Sequence, residues 1–73
     1  MYIVKAKIKV GNAKGTAERE FKYRANAIKE AARTANRGYI ILDNPEMWKK
    51  DRRKEVESVT VFDSNHPEVS IDF

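Results

Sequence analysis

The sequence predicts an α+β fold, a two-layer domain in which an antiparallel β-sheet is covered on one face by one main helix and a second short helix. Apolar and polar residues alternate over residues 2–10 and again over residues 68–73, as in half-buried strands. Between them, alanines recur at three- and four-residue spacing over residues 26–37, which indicates a helix. Two terminal hairpins with helices between them give the order ββα(α)ββ, and residues 1–73 are expected to form a single small domain.

The first hairpin is predicted from two alternating segments and a turn. Residues 2–10 form the first strand, residues 11–15 hold two glycines and an asparagine suited to a turn, and residues 16–24 form the second strand. Arg19 falls on the apolar face of the second strand, so it is expected to need a partner or a β-bulge.

Two registers are considered for this hairpin. A four-residue loop sets Lys7 opposite Glu18. A six-residue loop instead sets Lys9 opposite Glu18. Both registers pair lysines with glutamates across the strands, which stabilises a sheet. The lysine row of the first strand is therefore interpreted as a solvated face rather than a phosphate-binding surface.

The main helix is predicted from Asn26 to Arg37. Asn26 is a suitable N-cap because its side-chain oxygen can accept a backbone N–H of the first turn. Gly38 stands where helices commonly end in a left-handed residue, and Arg33 and Arg37 suit the negative end of the helix dipole. The face expected to pack on the sheet consists of Ala27, Ile28, Ala31, Ala32 and Ala35.

The middle of the chain is predicted to hold a second helix, from about Pro45 to Lys54, because Asn44 and the proline form a helix-start signature. The apolar run Tyr39–Leu42 is too short for its periodicity to separate a strand from an irregular core segment. Together with Met47 and Trp48 it either fills the core or forms an exposed docking edge, and both alternatives remain open.

The last hairpin is predicted from residues 55–63, a turn at residues 63–67 and a final strand with Val69, Ile71 and Phe73 on one face. Because the main helix offers mostly alanine, larger side chains have to fill the core. They are expected to be Phe21, Tyr23, Ile40, Leu42, Trp48 and the apolar residues of the terminal strands.

Composition predicts a cytoplasmic protein and is compatible with a reducing compartment. It has no cysteine, no apolar run of the roughly 20 residues that a membrane helix needs, and no signal-peptide pattern. The net charge of +4 conceals a strong asymmetry, because residues 1–54 hold all 15 lysines and arginines while residues 55–73 hold five acids and no Lys or Arg. Such segregation suits either an anionic partner or a homo-oligomer.

Catalytic chemistry is not predicted. His66 is the only histidine and lies in a turn, where a solvated side chain is expected rather than a general base. No cysteine nucleophile and no glycine-rich phosphate loop is present. Asp43, Asp63 and Asp72 are weak candidates for a hard cation, since turn and edge carboxylates are common. The expectation is a protein without catalytic residues, cofactor or metal.

Candidate binding residues are the cations and the tryptophan that follow two basic patterns. Lys29, Arg33 and Arg37 recur every four residues on the solvent face of the main helix, where like charges repel mildly. The second pattern is the basic tract that follows Trp48, whose ring suits base stacking. That tract consists of Lys49, Lys50, Arg52, Arg53 and Lys54. Both patterns also occur as ordinary solvated helix surfaces.

Two hypotheses follow for the function. The first is a small non-enzymatic binding or regulatory module that acts by contact with a protein or nucleoprotein partner. By analogy with small phage and plasmid proteins of this pattern, that module would inhibit a nucleic-acid-handling complex. The alternative is direct, sequence-non-specific binding of the nucleic-acid phosphate backbone through the basic surface.

Overall fold

The computed structural model describes residues 1–42 and 52–73, which form an antiparallel sheet and one helix. The chain order is ββαβββ, so the predicted α+β class is confirmed. The elements are β1 (Tyr2–Val10), β2 (Ala13–Phe21), α1 (Arg24–Arg37), β3 (Tyr39–Ile41), β4 (Arg53–Asp63) and β5 (His66–Asp72).

The sheet is organised around β4, which pairs with three other strands. Along one edge β4 lies antiparallel to β1, and β1 in turn pairs with β2, so the strand order is β2-β1-β4-β3. The other edge of β4 is shared by two strands. Residues 53–55 pair with β3 and residues 60–63 pair with β5, so β3 and β5 lie end to end along that edge.

A β-bulge in β4 explains why the sequence of this strand looks mixed on both faces. Lys7 pairs with Ser58, but the next residue, Ile8, pairs with Val56, so Glu57 is an extra residue in β4. An extra residue shifts the alternation of side chains by one. Val56 therefore points to the same face as Val59 and Val61, although it is an even-numbered residue and they are odd-numbered.

The first hairpin has a shorter loop than predicted. Val10 pairs with Ala13, so only Gly11 and Asn12 form the loop, and β2 begins three residues earlier than expected. Gly11 has φ 63°, which suits the first central position of the tight turns that join twisted strands. Both predicted registers are therefore wrong, because the glycine and the asparagine alone form the turn.

In the observed register the lysines of β1 meet different partners. Lys5 lies opposite Glu18, but Lys9 lies opposite Lys14, and like charges in that position destabilise a sheet. The bulge residue Glu57 relieves this repulsion. Its carboxylate oxygens lie 3.8 Å from Lys9 Nζ and 3.6 Å from Lys14 Nζ.

The helix begins two residues earlier than predicted. Its N-cap is Tyr23, whose side chain makes no capping hydrogen bond, so the prediction of Asn26 as N-cap is wrong. The Ala27 N–H donates to the Tyr23 carbonyl oxygen at 3.2 Å and so adds a first turn to the helix. The sequence has no capping side chain that would have predicted this turn. The predicted end is confirmed, because Gly38 has φ 79° and donates its N–H to Thr34 O at 3.0 Å.

The core lies between α1 and the sheet, and its helical side is made of small residues. Ala27, Ala31 and Thr34 are fully buried, so the helix backbone lies close to the strands. Of the predicted packing face, Ala35 is exposed, because the buried stripe passes through Thr34 instead. The sheet contributes the buried side chains Val4, Ala6, Ile8, Ile40, Val59 and Val61.

The predicted core filling is correct in part. Ile40 is buried, and Phe21 and Leu42 are partly buried against the core. Tyr23 is 60% exposed, so its prediction as a core residue is wrong, because as the N-cap it lies outside the helix and beyond β2. Trp48 lies outside the described residues.

The predicted second helix is not confirmed. Arg53 and Lys54 belong to β4 and pair with β3, so the helix prediction is wrong for them. The Leu42 N–H donates to Arg52 O at 2.7 Å and joins the two ends of the connection between these strands. Arg52 lies in a turn rather than a helix, and residues 45–51 of the predicted helix lie outside the described residues.

Ala31 provides a direct test of the close helix–sheet packing. Replacing Ala31 with leucine should lower the free energy of unfolding by about 1–3 kcal/mol, because the fully buried site has no room for three more carbons. Urea unfolding followed by circular dichroism measures this change. The matched control is Ala35→Leu on the exposed face, with an expected change within about 0.5 kcal/mol. Equal effects of the two variants would show that the helix does not approach the sheet closely.

Candidate functional site

Arg19 makes the contacts that the sequence required of it. Its side chain points from β2 toward the helix-covered face and is partly buried. Arg19 Nη2 donates to the backbone carbonyl of Ile41 at 2.7 Å, and Nη1 lies 3.7 Å from Glu30 Oε1. One guanidinium therefore joins β2, α1 and β3, and the expectation that Arg19 needs a partner is confirmed.

These contacts show that the sheet is strongly curled. In a flat sheet β2 and β3, the first and last strands of the order, would lie about 14 Å apart, since neighbouring strands are about 4.8 Å apart. The Gly38 carbonyl and the Leu42 N–H both bond to β4 or the residue before it. Because alternate residues of a strand bond to opposite sides, the Ile41 carbonyl points away from β4, to the edge that Arg19 reaches.

Glu30 is shared by three arginines. Besides Arg19, its carboxylate lies 3.9 Å from Arg33 Nη1 and 3.9 Å from Arg37 Nη2. The Glu30 side chain is only 18% exposed, so these ion pairs are less screened by water than pairs on an open surface. One carboxylate cannot neutralise three guanidiniums, and a net positive charge remains at this place.

Tyr39 holds two further guanidinium contacts. The central carbon of Arg53 lies 3.8 Å from the Tyr39 ring centre, and that of Arg37 lies 5.2 Å from it. These are cation–π distances, and a stacked guanidinium still has its N–H groups available at its edge. We use the name arginine cluster for Arg19, Arg33, Arg37 and Arg53 together with Glu30 and Tyr39.

The structure brings together three of the residues predicted from the sequence as binding residues: Arg33, Arg37 and Arg53. Lys29 is exposed on α1, and Lys54 is partly buried on β4 opposite Ile40. Neighbours in a strand point to opposite faces, so the basic tract does not form one surface at its described end. The remaining predicted binding residues are not placed in this cluster. Arg52 is partly buried, and Trp48, Lys49 and Lys50 lie outside the described residues.

Sequence reasoning missed two members of the arginine cluster as possible binding residues. Arg19 stands out in the sequence as a charge on an apolar strand face, but the pattern does not indicate where its partner lies. Tyr39 belongs by composition to the apolar run that follows the helix. The signal available for it was its position directly after the helix end, next to Arg37.

A second candidate surface is the β5 face, which we define as Val69, Ile71 and Phe73. Ile71 pairs with Val61, so this row shares the face of the sheet that α1 covers, but the row lies at the sheet edge. The exposed fractions of the three side chains are 67%, 37% and 40%. Three large apolar residues in one exposed row exceed the isolated apolar residues that protein surfaces normally show.

A shallow groove lies beside the β5 face. Its volume is about 290 Å³, and its lining includes Tyr2 and Val61 of the neighbouring strands and Arg24 at the start of the helix. Val69 and Ile71 form its outer wall. The groove therefore continues the β5 face inward, toward the helix and the core.

The charged residues near β5 are mainly acidic. Asp72 lies on the opposite face of the strand from Ile71, and Thr60 donates its hydroxyl to Asp72 Oδ1 at 3.1 Å. His66 begins the strand and lies 3.5 Å from Glu68. Asp63 accepts the Asn65 N–H at 3.0 Å in the preceding turn. Across residues 1–42 and 52–73, no three histidine or acidic side chains are grouped to hold a metal ion.

Comparison with known proteins finds no matching family, curated protein or solved structure. In the part of the chain that the structure describes, α1 is the one helix, and it is neither long nor apolar enough to cross a membrane.

Removing the charge of Glu30 tests how much the arginine cluster depends on it. Glu30→Gln should lower the free energy of unfolding by about 1–2 kcal/mol, because three guanidiniums then repel one another without a carboxylate between them. Urea unfolding at low and at high salt provides the measurement. Since salt screens the repulsion, the loss should shrink at 1 M sodium chloride.

The control for this prediction is Glu20→Gln. Glu20 is exposed on β2 opposite Ile3, and it makes no ion pair with the described residues, so its removal should change stability by less than about 0.5 kcal/mol. A salt-independent loss for Glu30→Gln would contradict the electrostatic role.

Proposed function

We propose that the protein is a non-enzymatic binding module that takes an extended segment of a partner protein along β5. The observation that supports this most is the exposed apolar row of Val69, Ile71 and Phe73 on an edge strand. Addition of a strand to an open sheet edge is a common way of recognising peptides, because it combines backbone hydrogen bonds with side-chain contacts.

The backbone of β5 supports this mode of binding. The Phe73 N–H donates to Val59 O, so Phe73 and, by alternation, Ile71 direct their peptide groups at β4. The peptide groups of Ser70 and Asp72 then point to the outer edge. No strand among residues 1–42 and 52–73 pairs with that edge. Pro67 has no N–H, so the usable edge begins after it.

The side chains of β5 define what kind of segment fits. The β5 face offers apolar contacts on the helix side of the sheet, while Asp72 offers negative charge on the other side and Glu68 adds negative charge to the same strand. An extended segment that alternates apolar and basic residues satisfies both sides at once. Basic segments of this kind are typical of proteins that handle nucleic acids, so a component of a nucleoprotein complex is the partner class that we favour.

Synthetic peptides test this proposal. A seven-residue peptide that alternates valine and lysine should bind, and amide hydrogen exchange by NMR should show new protection at Ser70 and Asp72, whose N–H groups would acquire partners. The Ile71 amide is the internal control, because its N–H already faces β4 and should change little. Protection that appears at Ile71 but not at the two outer amides would contradict strand addition.

Two matched peptides separate the contribution of charge from that of backbone pairing. Replacing the lysines by glutamates should abolish binding through repulsion by Glu68 and Asp72. Replacing the central valine by proline should weaken binding strongly, because it removes one backbone donor and blocks the strand pairing. If the valine–lysine peptide does not bind at millimolar concentration, the acidic residues of β5 serve only to protect the edge from aggregation, and the proposal fails.

A further inference from the structure

We infer that the arginine cluster binds the phosphate groups of single-stranded nucleic acid. This site is separate from the β5 face, and the inference does not depend on the proposed function. Three observations support it: the charge balance of the cluster, the exposure of Arg33 and Arg53, and the aromatic ring that contacts two of the guanidiniums.

The charge balance favours an anion. Each of the four guanidiniums contacts Glu30 or Tyr39. In the described residues Glu30 is the one carboxylate within 4.0 Å of them, and Glu55 lies opposite Tyr39 in the strand pair, so four cations face two carboxylates. The contacts of Glu30 to Arg33 and Arg37 are long, at 3.9 Å each, so neither pair is a close hydrogen-bonded one. A cluster with this surplus of positive charge gains free energy from an added phosphate.

The guanidinium groups differ in what they have left to donate. Arg19 is committed to the Ile41 carbonyl and Glu30, so its role is structural. Arg37 and Arg53 lie over the Tyr39 ring, and Arg37 Nη2 also lies 3.9 Å from Glu30 Oε1. A guanidinium that contacts a ring face can still donate two parallel N–H groups to phosphate oxygens. Arg33 is more than half exposed and lies one turn before Arg37 on the same helix face.

A nucleic-acid strand suits this arrangement better than a single free phosphate does. The cations come from α1 and from β4, on two elements that meet at Tyr39, so they are spread out rather than gathered around one point. Arg53 is exposed and its central carbon lies 3.8 Å from the Tyr39 ring centre, and unpaired bases stack on guanidinium and aromatic groups of this kind. A duplex has its bases stacked inside and cannot make such contacts.

Fluorescence anisotropy with a labelled oligothymidylate tests the inference. Binding through three guanidiniums predicts that log K falls with log salt with a slope of about −2, since each phosphate contact on a single strand contributes about −0.7. A duplex of the same length should bind more weakly. Inorganic phosphate at millimolar concentration should not displace the strand. Displacement at that concentration would identify a site for a free phosphate compound and would overturn the assignment to a strand.

Arg53→Gln and Lys22→Gln form a matched pair of variants. Both remove one exposed cation that lies over a tyrosine, since Lys22 Nζ lies 5.7 Å from the Tyr23 ring centre. Lys22 precedes the start of α1, about 20 Å from its end at 1.5 Å per residue. Arg53→Gln should weaken binding about tenfold and reduce the salt slope by about 0.7, whereas Lys22→Gln should do neither.

Tyr39 is a positioning residue in this site, and two substitutions distinguish that role from a purely structural one. Tyr39→Phe keeps the ring that holds Arg37 and Arg53, so affinity and salt slope should remain. Tyr39→Leu keeps an apolar side chain in β3 but removes the ring, so affinity should fall about fivefold at unchanged urea midpoint, in line with the weak energy of a partly exposed cation–π contact.

Three results would overturn the inference. The first is no binding of the oligothymidylate at 50 mM salt. The second is equal weakening by Arg53→Gln and Lys22→Gln, which would mean that only the overall charge matters. The third is equal affinity of the Tyr39→Leu and Tyr39→Phe variants, which would show that the ring does not contribute to binding.

Discussion

The contact that the rest of this structure depends on is the one between Arg19 and the Ile41 carbonyl. It joins the two ends of the four-strand order, and the same guanidinium meets Glu30 on the helix. A charged donor on a partly buried carbonyl stabilises by roughly 1.5–3 kcal/mol, which is a large fraction of the stability of a domain this small. The Arg19 side chain therefore links the curl of the sheet to the position of the helix and of β3.

Small residues on the helix make that arrangement possible. Ala27 and Ala31 let α1 lie close to the concave face of the sheet, so the core is thin. The curvature of the sheet, rather than large side chains on the helix, closes this core. The consequence is a division of the surface. Around Glu30 the arginines leave positive charge exposed, while the sheet edge at β5 is apolar and acidic. The charge asymmetry along the sequence thus becomes two separate surfaces with opposite chemistry.

Local patterns predicted the elements better than their connections. The alternation in β1, the alanine spacing of α1 and the glycine at its end predicted those elements correctly. The hairpin register was wrong because a two-residue turn at Gly11 competes with longer loops, and the pattern does not distinguish them. The bulge at Glu57 hid the alternation of β4. The partner of Arg19 is 22 residues away in the chain, and periodicity carries no information about such a contact.

The two candidate surfaces were predictable to different degrees. Arg33, Arg37 and Arg53 were named from charge density alone, but their relation to Tyr39 and Glu30 arises from the fold. The alternation of residues 68–73 predicts the apolar row of β5 as one face of a strand. Its exposure depends on the fold, because the row lies at the edge of the sheet. In both cases the residue types were visible in the sequence, and the tertiary arrangement decided which of them lie together.

Replacing Arg19 with methionine tests the central claim most directly, because methionine keeps the apolar stem and removes the guanidinium. The measurement is the free energy of unfolding together with hydrogen exchange of the β3 and β4 amides. We predict a loss of about 1–3 kcal/mol, with protection lost at β3 and at residues 53–55 before it is lost in β1. A variant as stable as the parent chain, with β3 still protected, would contradict the account.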